Sequence, residues 1–318
     1  HPALRAVGFT GSLRGGRALY QAAATRPAPI PVFAEMGSLN PVFVLPRACA
    51  VRGSAIGEGA AASLTLGVGQ FCTKPGVLVI PAGDDGDRLV ATLVEALDRT
   101  APGVMLDPRI HADYCRGLQA REALGGVFRL SAAASEERRA SPALFAVDVD
   151  HFMADEALQE ELFGPAALLL RWRDEDQLLT LAEHFAGQLT ATIHGDAEDP
   201  DDLTLAGRLL PILQDRAGRV VWNGFPTGVE VAPAMHHGGP WPAASDPRAT
   251  SVGTTAIERF ARPVCFQAMP AQLLPPPLRS WAPQLRILQR DLRPSNRLTP
   301  VTDTCQFLMA PRRPFEVP

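Results

Sequence analysis

The chain has 318 residues, 46% of them apolar and 20% charged, with a formal net charge of -4. That is the profile of a globular protein with a sizeable core. With no block of one charge sign, it argues against nucleic acid or an anionic membrane as a main partner.

No stretch reaches the roughly 18 consecutive apolar residues that a membrane helix needs. The five cysteines (Cys49, Cys72, Cys115, Cys265 and Cys305) are odd in number and contain no CxxC pair. They indicate neither a disulfide framework nor a zinc site, and they fit a reducing cytoplasm.

The chain opens with His1-Pro2-Ala3, neither an initiator methionine nor a signal peptide. Leu4–Phe9 reads as a short buried strand. Thr10-Gly11-Ser12 is a turn, and Leu13–Ala24 is a helix. Strand, small-residue turn and helix is a layout that points a helix N-terminus at an anionic group, although many α/β turns share it. A lone strand and helix cannot close a parallel sheet, so part of the natural chain is expected to precede residue 1. Residues 1–34 are accordingly expected to pack loosely.

Ile30–Ala34 and Val42–Leu45 are predicted strands, separated by Glu35-Met36-Gly37-Ser38-Leu39-Asn40-Pro41. Ala48–Leu66 is rich in Ala and Gly and reads as one or two packed helices. Next comes Gly67-Val68-Gly69-Gln70-Phe71-Cys72-Thr73-Lys74-Pro75-Gly76, a single cysteine among glycines. It is either a structural cysteine in a turn or a nucleophile given room for a carbonyl to approach. Lys74 is the chain's sole lysine, and a nearby cation would favour a thiolate.

Val77–Ile80 is a predicted buried strand, Asp84–Arg99 an amphipathic helix, and Asp113–Leu124 another helix. Ala143–Val149 and Ala166–Arg171 are strands on either side of a charged turn around Glu160. Asp174–Ala186 and Leu203–Gln214 are helices. Leu189–Ile193 and Arg219–Asn223 are strands. The alternation predicts an α/β class with a mostly parallel sheet and flanking helices. Pro226–Thr250 is a long loop of a kind that is usually functional. Beyond Gln272 the periodicity fades, and the tail is expected to join no sheet.

Four segments in this order resemble the aldehyde dehydrogenase superfamily: Phe9-Thr10-Gly11-Ser12, Glu35-Met36-Gly37-Ser38-Leu39-Asn40-Pro41, Gly69-Gln70-Phe71-Cys72-Thr73 and Glu160-Glu161-Leu162-Phe163-Gly164-Pro165. The Glu35-Met36-Gly37-Ser38 variant, Trp222–Val229 and His236-His237-Gly238-Gly239-Pro240 are most similar to the branch acting on 2-oxoglutarate semialdehyde (2,5-dioxopentanoate). The resemblance runs from residue 3 to about 272. It implies a remnant of a Rossmann-like NAD(P)-binding domain over 1–37 and a catalytic domain over 38–240. A return and oligomerisation segment follows over 241–271, then a low-order tail over 272–318, native or foreign.

The resemblance also implies NAD or NADP as cofactor, a small aldehyde as substrate, and a homo-oligomeric parent enzyme, dimer or tetramer. It makes Cys72 the nucleophile and Glu35 the base that activates water. Glu161 becomes the ligand of the nicotinamide-side ribose, with Phe163 beside it. Gly11, Ser12 and Met36 join the cofactor site. An oxyanion asparagine and the adenine-ribose residues are expected outside this chain, so the chain itself could be inactive.

The chemistry agrees. An aldehyde gains a leaving hydride only once a thiolate has added to it, and the resulting thioester needs an activated water. A cysteine hydrolase pairing Cys72 with His236 or His237 is the rival reading, and an inert fragment is the non-enzymatic one. Adjacent histidines rarely chelate one ion, and with no third ligand clustered nearby in sequence no metal site is expected.

Overall fold

A computed structural model of the chain describes residues 1–132, 138–279 and 306–311. They fall into two compact units, His1–Ala256 and Ile257–Pro318.

The first unit opens with β1 (Val7–Thr10), α1 (Leu13–Ala24) and β2 (Val32–Glu35). β1 and β2 pair in parallel from Val7↔Val32 to Thr10↔Glu35. Ala23, Val32, Ala34 and Met36 form a small core of their own. Residues 1–31 are mostly exposed, with Gly16 and Ala23 the buried ones, whereas β2 is well covered. Along its other edge β2 is bound by the chain near residue 244: Ala34 N–H donates to Ser245 Oγ at 2.8 Å and Ser245 N–H to Ala34 O at 2.9 Å.

Next come β3 (Val42–Val44), α2 (Pro46–Thr65), β4 (Val77–Pro81), α3 (Asp84–Asp98), β5 (Gly103–Val104), α4 (Pro108–Glu122), β6 (Val127–Ala132), β7 (Arg139–Ala140), β8 (Ala143–Val147), α5 (Val149–Ala154), β9 (Ala166–Trp172), α6 (Glu175–His184), β10 (Gln188–His194), α7 (Pro200–Arg216) and β11 (Ala217–Trp222). Seven strands form the main sheet in the order β11-β10-β3-β4-β9-β8-β6. All neighbours are parallel except β6, which runs antiparallel to β8 at the edge.

Both faces of this sheet are covered, as parallel strands require. Alternate residues of β4 and β9 feed two cores: Val77, Val79, Leu168 and Leu170 on one side, Leu78, Ile80, Ala167 and Leu169 on the other. α3 shows how the pattern works. Leu89, Leu93 and Leu97 recur every fourth residue and are fully buried, each stabilising the fold by about 1.5–3 kcal/mol through apolar burial.

The second unit contains β12 (Ala261–Phe266) and β13 (Gln306–Pro311), antiparallel from Ala261↔Pro311 to Phe266↔Gln306. The expectation that the tail joins no sheet is therefore corrected at these six residues. An extended strand offers an edge of backbone donors and acceptors, and the apolar run at 307–309 is a strand former that satisfies it. The rest of the tail, 280–305 and 312–318, lies outside the described residues.

Candidate active site

The site is built where three loops meet. Glu35 ends β2 at the carboxyl edge of the small sheet, the usual place for a functional group in an α/β fold. The large sheet contributes from its opposite, amino edge. Asn40 precedes β3, Cys72 precedes β4, Ala166 opens β9 and Gln188 opens β10.

The approach to Cys72 is strained. Gly67, Val68 and Gly69 all have left-handed backbones, with φ of 56°, 58° and 64°. For the β-branched Val68 that conformation costs about 1–2 kcal/mol. Gly69 has no alternative, because a Cβ there would lie 2.3 Å from the carbonyl carbon of Gly164. The nucleophile loop is thus seated directly on the Glu161–Pro165 loop.

Asn40 fixes the loop from below. It is fully buried, with φ of 48°, and its side-chain amide donates to Cys72 O at 3.0 Å and Lys74 O at 2.9 Å. Its Oδ1 accepts from Thr190 Oγ1 at 3.0 Å. Gln188 Oε1 in turn accepts from the backbone N–H groups of Leu39 and Asn40 at 2.7 and 3.1 Å. A buried network with its bonds made specifies one geometry.

Lys74 does not play the role expected of it. Its side chain is buried, and its ammonium donates to Leu162 O at 3.1 Å and Ala166 O at 2.8 Å. The cation is spent on holding the 161–166 loop. Burial lowers the Lys74 pKa and raises that of Glu161, and the attraction between the two opposes both shifts.

The group that does reach the thiol is His237. Its Nε2 is 3.4 Å from Cys72 Sγ, and its Nδ1 is 2.7 Å from Glu35 Oε2. With Glu35 accepting at Nδ1, the ring presents Nε2 to sulfur. Burial lowers the His237 pKa, but hydrogen bonds to Cys72 and Glu35 and their charges outweigh it, raising the value to about 9. His237 N–H donates to Thr250 Oγ1 at 2.8 Å, and Ser251 Oγ–H donates to Glu35 Oε2. His236 is not in this cluster; it packs beside Gly218 and Gly238.

Cys72, His237 and Glu35 therefore form a triad that sequence reasoning did not assemble. Its members lie 165 and 202 positions apart. The available signal was the His-His-Gly-Gly sequence in a long loop. The third ligand-type residue thought to be lacking near these histidines is supplied through space by Glu35 and Cys72.

The other predicted site residues lie nearby in the chain fold. Ser12 caps α1, its Oγ accepting from Gly15 N–H at 3.2 Å, and the first turn of α1 carries no acidic residue. Gly11 N–H donates to Glu35 O at 3.1 Å, which sets that turn beside the triad. The Glu161 carboxylate accepts from Ser38 N–H and lies over Gly37, where a Cβ would come within 2.6 Å of Oε2. Phe163 is exposed beside it. Met36 is buried under α1 and its N–H donates to Ala243 O at 2.7 Å, so any cofactor contact there runs through backbone rather than the thioether.

A helix start free of carboxylates and a carboxylate cradled over glycine fit, respectively, the phosphate and ribose of a dinucleotide. Residues 1–240 match the model of the aldehyde dehydrogenase family.

The chain belongs to the aldehyde dehydrogenase family. It is 51% identical over 285 residues to alpha-ketoglutaric semialdehyde dehydrogenase 2 of Azospirillum brasilense, covering 89% of this chain and 54% of that protein. It is 45% identical over 286 residues to alpha-ketoglutaric semialdehyde dehydrogenase of Acinetobacter baylyi, with the same coverage of 89% and 54%. The chain thus spans about half the length of these curated relatives.

Among solved structures it is similar to gamma-glutamyl-gamma-aminobutyraldehyde dehydrogenase from Burkholderia cenocepacia, at 22% identity and a TM-score of 0.67 over 81% of this chain and 51% of that one. It is also similar to 1-pyrroline-5-carboxylate dehydrogenase from Thermus with bound NAD, at 21% identity and a TM-score of 0.62 over 77% and 47%. These two confirm the aldehyde dehydrogenase fold.

Proposed function

We propose that this chain carries the catalytic half of a nicotinamide-dependent dehydrogenase that oxidises 2-oxoglutarate semialdehyde to the acid. The observation that carries the reading is the Cys72–His237–Glu35 contact, made in a chain half identical to a protein named for that substrate.

With its raised pKa, His237 Nε2 already holds the proton shared with Cys72, so sulfur adds to the aldehyde carbon as the thiolate, giving a thiohemiacetal. The bound cofactor, NAD or NADP, supplies hydride acceptance. Glu161 would accept hydrogen bonds from its ribose hydroxyls, and the Gly11–Ser12 turn would lie toward its phosphates. The thioester left on Cys72 is then hydrolysed. His237 Nε2 is the base nearest the sulfur, and Glu35 holds the ring and stabilises its positive charge, so the pair activates water together. Glu35 thus acts through His237 rather than alone.

Steady-state assays of the protein carrying this chain test both parts. Reduction of NAD or NADP is expected with 2-oxoglutarate semialdehyde, with a higher kcat/KM than for long apolar aldehydes, and Cys72→Ser abolishes it. A preference for long apolar aldehydes contradicts the substrate. Turnover surviving Cys72→Ser contradicts the mechanism.

A further inference from the structure

Beyond its part in catalysis, the triad has the composition and spacing of a metal site. Cys72, His237 and Glu35 each place one donor atom within 4.8 Å of the other two. Sulfur and imidazole nitrogen are ligands suited to zinc, and the carboxylate lies on the far ring nitrogen.

The distances are specific. Zinc bonds of about 2.0–2.1 Å to imidazole and about 2.3 Å to thiolate, at a tetrahedral angle, set those two donors about 3.6 Å apart. Cys72 Sγ and His237 Nε2 are 3.4 Å apart, so a cation fits the pair with little movement. The second requirement is a partner for the far ring nitrogen, which fixes the tautomer and raises ligand basicity. Glu35 Oε2 at 2.7 Å from Nδ1 supplies it, and Ser251 Oγ–H bonds that carboxylate in turn. His237 and Glu35 are buried while Cys72 is half-buried, leaving the approach on the sulfur side.

We propose that Cys72 Sγ and His237 Nε2, with Glu35 orienting the ring, bind a soft divalent cation, zinc foremost, and that the bound ion blocks the nucleophile. Zinc takes one lone pair from a thiolate and one from a neutral imidazole. The proton that lies between sulfur and nitrogen leaves to solvent, and water completes the coordination. With its lone pair on the metal, Cys72 cannot add to an aldehyde. Zinc therefore inhibits reversibly, and a chelator restores activity.

The test needs no turnover, so its outcome is independent of the proposed dehydrogenase reaction. Cobalt(II), added to the chain as a spectroscopic stand-in for zinc, is expected to give a thiolate-to-cobalt charge-transfer band that zinc then abolishes by displacement. Cys72→Ser should remove the band. Glu35→Gln should weaken binding by about 10–100-fold, and His237→Asn, which removes a direct ligand, should weaken it further. Stoichiometric zinc should also slow alkylation of Cys72 by iodoacetamide.

Cys115 is the internal control. It sits 3.7 Å from His111 Nε2 on α4, a second sulfur–imidazole pair, with no carboxylate on the ring among the described residues. Cys115→Ser should leave the band in place. A band that survives Cys72→Ser, or disappears in Cys115→Ser, overturns the assignment. So does the absence of any band in a folded protein, with folding verified by near-ultraviolet circular dichroism.

Discussion

His237 Nδ1 lies 2.7 Å from Glu35 Oε2, although 202 positions separate the two residues. The contact joins the end of β2 to the long loop after β11 and aims the other ring nitrogen at Cys72. It makes the reactivity of one thiol depend on two distant segments, and that dependence can be measured.

Cys72 should be the fastest-alkylated cysteine of the folded chain. Cys49 is buried, and burial pushes its thiol up to about 11 despite the opposing charges of Arg171 and Arg88, so it should react only after unfolding. Cys115, beside His111, and the exposed Cys265 are the competitors. Iodoacetamide labelling mapped by mass spectrometry is expected to rank Cys72 above Cys115, Cys265 and Cys49, with His237→Asn slowing Cys72 alone. Equal rates at these sites, or no effect of His237→Asn, would remove the histidine from the account.

The buried His194 should make the fold sensitive to acid. It is 2% exposed, it packs against Phe225 at 4.9 Å between ring centroids, and neither ring nitrogen makes a well-aligned hydrogen bond. Burial first, and then the charge of Arg52, lower its pKa from 6.5 to about 4, while a weak contact with the Gly224 backbone as acceptor opposes them. A folded value below the unfolded one means full stability above about pH 6.5 and progressive loss as pH falls towards 4. The shift corresponds to about 3 kcal/mol. Urea unfolding at pH 7 and at pH 4 should show this loss, and His194→Leu should flatten the dependence. An unchanged slope in the variant would place the acid sensitivity elsewhere.

Asn40 should matter more than its size suggests. Asn40→Ala leaves the Cys72 and Lys74 carbonyls without their donor in a buried site and puts alanine at φ of 48°. The expected destabilisation is about 2–5 kcal/mol, accompanied by slower alkylation of Cys72. A loss below about 1 kcal/mol in urea titrations would show that the nucleophile loop holds itself.

Much of the fold was legible because its signals are local. The Leu13–Ala24 helix follows Ser12, whose side chain caps it. The runs Val77–Pro81 and Ala166–Trp172 are short, apolar and buried on both faces, as parallel strands are. Helix α4 begins five residues before the predicted Asp113, because Asp107 caps it and Pro108 opens it. Strand β6 escaped notice because Phe128 is 67% exposed there, so its alternation has no clear apolar face.

In the site, Cys72 and Glu35 could be read from the motifs that surround them. His237 entered only through the rival hydrolase pairing, undistinguished from His236, since only the closed fold brings its loop to the thiol. Lys74 was misread for the opposite reason: nearness in sequence suggested a contact that the turn directs elsewhere.

The most direct test of the central claim is to trap the acyl group on sulfur. In Glu35→Gln, supplied with 2-oxoglutarate semialdehyde and NAD or NADP, the first turnover should still reduce cofactor in a burst. Steady-state turnover should fall by about 10²–10⁴-fold, the usual worth of general-base catalysis. Mass spectrometry of the acid-quenched protein should then find a 2-oxoglutaryl thioester on Cys72. Cofactor reduction with no acyl group on Cys72, or an unchanged steady-state rate, would contradict the account.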